Sequence, residues 1–133
     1  MINTELLQLT LKTIKENPEH WDQTRWHCGT SHCFAGFAEL IENNIPLDTP
    51  DSILVEEYNF GENFYSSDEK QFHWYTETSV RRRLGITPHD ADVLFYYHNT
   101  LQELEEYVNV LIKDGSLDLY DNPYLGVENC LDD

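Results

Sequence analysis

Apolar residues recur along this chain at three- and four-residue intervals, interrupted by proline, glycine and cap residues, a pattern that predicts helices. Leu7, Leu11 and Ile14 share one face of a first helix, with Leu6 beside them; it starts at Asn3 or Thr4 and stops before Pro18. The clearest stripe is Leu101, Leu104, Val108, Leu111 and Ile112, opened by Thr100 as cap and closed by Gly115. Two further starts read "TPDS" at 49–52 and "TPHD" at 87–90, each with threonine as cap and proline at the first helical position. The second of these helices runs to about His98, and a helix through "TSVRRRL" before it stops at Gly85. A long helix is also expected from Thr30 or Ser31 to Asn43 or Asn44, and helices 31–43 and 100–114 are expected to form the core pair.

The stretch from Asn59 to Tyr75 is aromatic and supports two readings, a capping box from Ser66 to Glu69 or a short β-hairpin. The tail after Gly115 has no clear period, and its Leu117, Leu119, Tyr120, Tyr124 and Leu125 are expected to pack it against the body. The expected fold class is therefore all-α. It is a single compact, predominantly helical domain over residues 1–133, with a hairpin in the 59–75 region as its one candidate β element.

Charge changes the picture of what such a domain can bind. Twenty-five acidic residues face eight basic ones in 133 residues, a formal net charge of −17. That field repels nucleic acid and anionic lipid and favours a protein partner with a basic surface. No apolar run approaches the length of a membrane span, and the first residues lack the basic and apolar regions of a secretory signal. Three cysteines are too few for a disulfide scaffold, so a reducing, cytoplasmic setting is expected.

The candidate chemistry is concentrated in "WHCGTSHCFAGFAEL", residues 26–40. On a helical wheel, Cys33 falls with Phe37, Leu40 and Ile41, so it reads as a buried small hydrophobe. His32, Ala35, Glu39, Glu42 and Asn43 fall on the other side. Gly36 at the edge of the apolar face points to close approach by another backbone, that of the 21–28 connector. Gly29 is expected to bend the chain. Two sharper readings compete. Cys33 in a first helical turn beside His27 or His32 is a candidate reactive thiol. His27, Cys28, His32 and Cys33 are candidate zinc ligands, although one short stretch closes a tetrahedron poorly. A Cys28–Cys33 disulfide fits the spacing but not the expected compartment. The buried, structural reading calls for no metal, no cofactor and no catalytic residue. It also predicts that Cys33→Ser destabilises the fold more than Cys33→Ala does.

This segment resembles one that recurs in small uncharacterised proteins of phages and bacteria: Asp-Gln, Trp, Cys-Gly-Thr, two variable residues, Cys, one variable residue, Ala-Gly, an aromatic and Ala. Asp22, Gln23, Trp26, Cys28, Gly29, Thr30, Cys33, Ala35, Gly36, Phe37 and Ala38 match it, and Phe37 stands where tryptophan is frequent. "LGITPHDADVLFYYHNTLQEL" resembles their second half. The resemblance covers about half of the chain. It implies a fold signature at Cys-Gly-Thr and no assigned activity.

Elsewhere, "SVRRRLGITPHDADVLF" has the outline of a DNA-binding helix-turn-helix, but Asp90 and Asp92 would meet phosphates with the wrong sign. His89, Asp90 and Asp92 resemble divalent-metal ligands, with His73 and His98 as the only loose additions, and a capped acidic helix start accounts for the same residues. The expected function is thus a small acidic, non-enzymatic interaction or regulatory module, with nucleic-acid mimicry as a special case. Its expected contact surface is Asp114, Asp118 and Asp121, with Tyr120 and Tyr124 as anchors. The alternative is a small metal- or thiol-dependent enzyme, or a metal-binding domain, built on the His27-Cys28 and His32-Cys33 pairs.

Overall fold

The computed structural model describes residues 1–57 and 69–121 of the chain. Among these are helices α1 (Thr4–Glu16), α2 (Phe34–Glu42), α3 (Asp51–Glu56), α4 (Glu69–Leu84), α5 (Pro88–Leu94) and α6 (Leu101–Asp114). Also among the described residues, a two-stranded antiparallel sheet joins β1 (His27–Cys28) to β2 (Ser31–His32). The protein is mostly helical but not all-α, and the hairpin sits at 27–32. Of the 59–75 region where one was expected, residues 69–75 belong to α4, while 59–68, with Ser66, lie outside the described residues.

The caps explain why the helices begin and end where they do. Thr87 and Thr100 each accept the backbone N–H three residues on, while Asp90 and Glu103 reach back to the cap N–H, two complete capping boxes. Gly115 closes α6 in the left-handed conformation, φ 82°. Other expected boundaries shift. Pro50, not Thr49, caps α3, and α5 ends at Leu94 rather than near His98. Asn99 stops α5 by donating to both Val93 O and Leu94 O, at 2.8 and 2.9 Å.

The expected core pair does not form as such. α1 is the central element, packing against both α2 and α6; α2 also packs on α4, and α5 on α6. Leu7, Leu11 and Ile14 on α1 meet Phe34, Phe37 and Ala38 of α2 and Leu104, Val108 and Leu111 of α6 in one large cluster. Leu40, Ile45 and Leu54 form a second, smaller cluster beneath α3, with Leu47 against it. No helix among the described residues is long and apolar enough to cross a membrane.

A buried histidine–histidine–glutamate chain

The candidate site is built by the hairpin. A two-residue loop, Gly29-Thr30, joins the strands, and Gly29 takes φ +60°, the positive first-position angle that suits a tight hairpin turn. The register pairs His27 with His32 and Cys28 with Ser31. Directly opposed residues of an antiparallel pair project from the same face, so both imidazoles leave one side of the ribbon. On its outer edge, His32 also bridges to Trp21, and its carbonyl accepts the Asp22 N–H at 2.8 Å. Asp51 at the start of α3 fastens the turn: its carboxylate accepts the Gly29 N–H at 2.7 Å and its own N–H donates to Gly29 O at 3.0 Å.

The ribbon lies flat on α2 because Gly36 has no side chain. A Cβ built there would fall 2.1 Å from Trp26 O, 2.9 Å from His32 Cβ and 3.1 Å from His27 Cε1. The close approach expected from the sequence is therefore real, and it is made by the expected connector. It presses both histidines against a helix that is buried on nearly all sides, from Phe34 to Leu40. Glu39, placed by the helical wheel on the solvent side, is instead only 3% exposed.

Glu39 is tolerated there because it has a partner. His27 Nε2 lies 2.8 Å from Glu39 Oε1, His27 Nδ1 lies 2.8 Å from His32 Nδ1, and His32 Nε2 lies 3.0 Å from Leu47 O. The rings of His27 and His32 meet edge to face, 4.9 Å between centroids, and Phe37 closes over His32 in the same manner. Proton positions follow from the fixed end of this chain. A carbonyl only accepts, so His32 donates from Nε2 and, being neutral, accepts at Nδ1. His27 must then donate from Nδ1. A single further proton is shared between His27 Nε2 and Glu39 Oε1. Burial, reinforced by the neighbouring His27 and opposed by the bond to Leu47 O, drives His32 down to about 3, so it is neutral in the folded protein near neutral pH.

The four candidate ligands do not converge. His27 and His32 bond to each other, Glu39 bonds to the far nitrogen of His27, and no group of three or more His, Cys, Asp or Glu among the described residues is placed to hold a metal ion. Cys28 stands next to His27 on the alternating side of its strand and is disulfide-bonded, contrary to the expectation of reduced thiols throughout. Cys33 is a free thiol, so the Cys28–Cys33 bridge weighed from the sequence is not formed.

Cys33 is fully buried, and burial pushes its thiol up to about 12 despite help from the Gly36 N–H. A protonated, inaccessible sulfur is a poor nucleophile. Its position differs from the expected one: Cys33 is the N-cap of α2, in extended conformation, and Sγ accepts the Gly36 N–H at 3.4 Å. That reverses the expected mutant order. Serine keeps a cap acceptor and alanine loses it, a difference of about 1 kcal/mol that offsets the cost of burying a hydroxyl. Cys33→Ser should therefore be no less stable than Cys33→Ala in urea denaturation, and native Cys33 should resist iodoacetamide until the protein is unfolded.

Sequence reasoning missed one organising residue. Gln23 is 5% exposed and ties three elements together. Its Oε1 accepts from Trp21 Nε1 and from the Phe34 N–H that opens α2; its Nε2 donates to Tyr96 O at 3.1 Å, just past α5. Its signal was present in the Asp-Gln of the recurring segment, without a reason attached to it.

The second candidate region is the turn after α6. Asp114, Asp118 and Asp121 are exposed. Tyr120 is half-buried: its ring meets Tyr107 edge to face at 5.0 Å and its hydroxyl donates to Glu106 at 2.7 Å. That bond raises Tyr120 to about 12, with Asp114 near enough to contribute. Tyr124 lies outside the described residues. His89 and Asp90, read from the sequence as metal-ligand types, hold this turn in place. His89 Nε2 donates to Tyr120 O at 2.9 Å and Leu117 O at 3.2 Å, and the buried Asp90 accepts the Leu117 N–H at 2.8 Å. Of the other loose candidates, His98 is exposed and lies against Tyr97, and Arg83 pairs with Glu42.

Comparison with family models, with curated proteins and with solved structures finds no match for this chain.

Proposed function

We propose that the protein is a non-enzymatic binding module, and that its contact surface is the acidic turn 114–121 presented to a partner with a basic surface. The observation that carries this reading is Leu119, which is 96% exposed between Asp118 and Asp121. An exposed leucine alone means little. This one stands on a turn pinned from both sides, through buried Leu117 on Asp90 and through Tyr120 on Tyr107 and Glu106. An apolar tip held in a fixed conformation inside an acidic rim loses little entropy on binding, and the rim steers a cationic partner. Tyr120 is engaged with the protein's own side chains, so Leu119 takes the anchor role that the sequence suggested for Tyr120 and Tyr124. The resemblance to small phage and bacterial proteins fits a module of this kind, since it brings no catalytic residue. Of the enzyme alternative's residues, His27, His32 and Cys33 are buried and Cys28 is engaged in a disulfide, which favours binding over catalysis.

The test compares three forms of the protein as bait in lysate of the producing cells: the unaltered chain, Leu119→Ser, and Asp114→Asn, Asp118→Asn and Asp121→Asn combined. A basic protein held by the unaltered chain should be lost with Leu119→Ser, and the triple variant should bind it more weakly with a shallower salt dependence. Retention of the same protein by both variants, with the same salt dependence, overturns the proposal.

A further inference from the structure

The disulfide at Cys28 has one available partner within the chain. The sequence holds three cysteines. Cys33 is a free, fully buried thiol, whereas Cys28 is disulfide-bonded. That leaves Cys130, which lies outside the described residues.

The hairpin decides on which side this bond stands. Successive residues of a strand point to opposite faces, so Cys28 faces away from His27. His27 is turned inward to Glu39 on α2, where Gly36 lets the ribbon lie close. Cys28 and its cross-strand partner Ser31 therefore project from the outer face. Both are half-buried, and the turn between them, Gly29-Thr30, is exposed. The hairpin is seated through other residues: His27 on Glu39, Gly29 on Asp51, the Trp26 carbonyl on the Cys33 N–H and the His32 carbonyl on the Asp22 N–H.

We propose that Cys28 and Cys130 form a redox-sensitive clasp on the outer face of the hairpin: a dithiol reductant that opens it unties Cys130 from the ribbon and leaves the ribbon seated on α2 and the helical core packed. One thiolate of the dithiol attacks a sulfur of the bond and expels the other, giving a mixed disulfide. The second thiol of the reductant then closes its own disulfide and releases the remaining cysteine. Two electrons pass to the protein, and two protons complete the Cys28 and Cys130 thiols. Cys33 is fully buried and protonated, so it does not exchange into the pair.

Reach permits the pairing. Tyr120 is pinned by His89 and Glu106, and the stretch from there to Cys130 spans up to about 35 Å when extended. A domain of this length has a radius of gyration of about 14 Å. The bond closes a loop of about 100 residues, so it restrains the unfolded chain strongly and makes the oxidised form the more stable one. It persists in an oxidising setting and opens in a reducing one.

Iodoacetamide labelling of the air-oxidised full chain tests this. Unfolded in urea without reductant, the protein should be labelled at Cys33 alone. Trypsin should then yield peptides 26–70 and 114–133 joined by a bond that a reductant cleaves. Folded protein treated with dithiothreitol should be labelled at Cys28 and Cys130 but not at Cys33, and its circular dichroism should keep the helical signal. Reduction should lower the urea midpoint of the unaltered chain and leave that of Cys28→Ser combined with Cys130→Ser unchanged. Labelling of Cys28 before reduction, or peptide 26–70 joined to a second copy of itself, overturns the pairing. Resistance of the bond to dithiothreitol in the folded protein overturns the clasp. Labelling of Cys33 in folded, reduced protein, or loss of the helical signal, overturns it too, because the core would then open with the bond. Should the double variant fail to fold, labelling of the reduced, unaltered chain decides alone.

Discussion

Gly36→Ala is expected to destabilise the fold by about 3 kcal/mol or more, the upper end of what overpacking a core costs. The added methyl would fall 2.1 Å from the Trp26 carbonyl oxygen. That atom belongs to backbone and cannot rotate away. Its residue carries a fully buried indole packed edge to face on Phe95, so the connector is held from its far side too. The strain can be relieved only by sliding the hairpin off α2, which stretches both the His27–Glu39 bond and the Cys33 N–H bond to Trp26 O. Gly29→Ala is the control. Among the described residues nothing lies within 4 Å of its Cβ position, so the strain counted is that of the φ of +60°, at a cost of about 1–2 kcal/mol. Urea denaturation midpoints should rank the unaltered chain above Gly29→Ala, and Gly29→Ala well above Gly36→Ala. Equal midpoints for the two variants would mean that the ribbon does not lie against α2.

Gly36 also shows what was legible in the chain and what was not. A glycine inside an apolar helical stripe points to a backbone nearby, and the connector was the nearest candidate. The threonine caps at 87 and 100 and the glycine at 115 were legible for the same reason: each is a local hydrogen-bonding or φ requirement that one residue type satisfies. The hairpin was not. Two strands of two residues carry no period, and Thr30 and Ser31 look like helix caps until the turn at Gly29 is seen. The inward position of Glu39 was equally hidden, because a wheel sorts residues by polarity and cannot see a partner on a strand twelve residues earlier. The His27–His32 contact depends on register, which is fixed by the two-residue loop rather than by either histidine. Leu119 was expected to pack, since a leucine in an aperiodic tail is ordinarily covered; Leu117, two residues earlier, took the buried place on Asp90 instead.

Glu39→Ala is expected to cost about 3–5 kcal/mol, the range for removing one partner of a buried charged pair. The loss goes beyond one hydrogen bond. Without Glu39, His27 Nε2 loses the acceptor or donor that the carboxyl supplies, at a site only 1% exposed. Glu39→Gln separates the two protonation patterns that the shared proton allows. Where the proton resides on Glu39, His27 is neutral and accepts at Nε2; a glutamine amide donates there equally well, and the cost stays near 1 kcal/mol, that of an ordinary neutral hydrogen bond. Where it resides on His27, the chain holds an imidazolium facing a carboxylate, and glutamine removes the countercharge. His27 must then lose its proton to keep the bond, and the cost moves towards that of alanine. Denaturation at pH 7.5 measures both variants, and the ¹⁵N shifts of the His27 ring report its protonation directly. A Glu39→Ala variant as stable as the unaltered chain would mean that the carboxylate is not held against His27, and the proton count of the whole chain would fall with it.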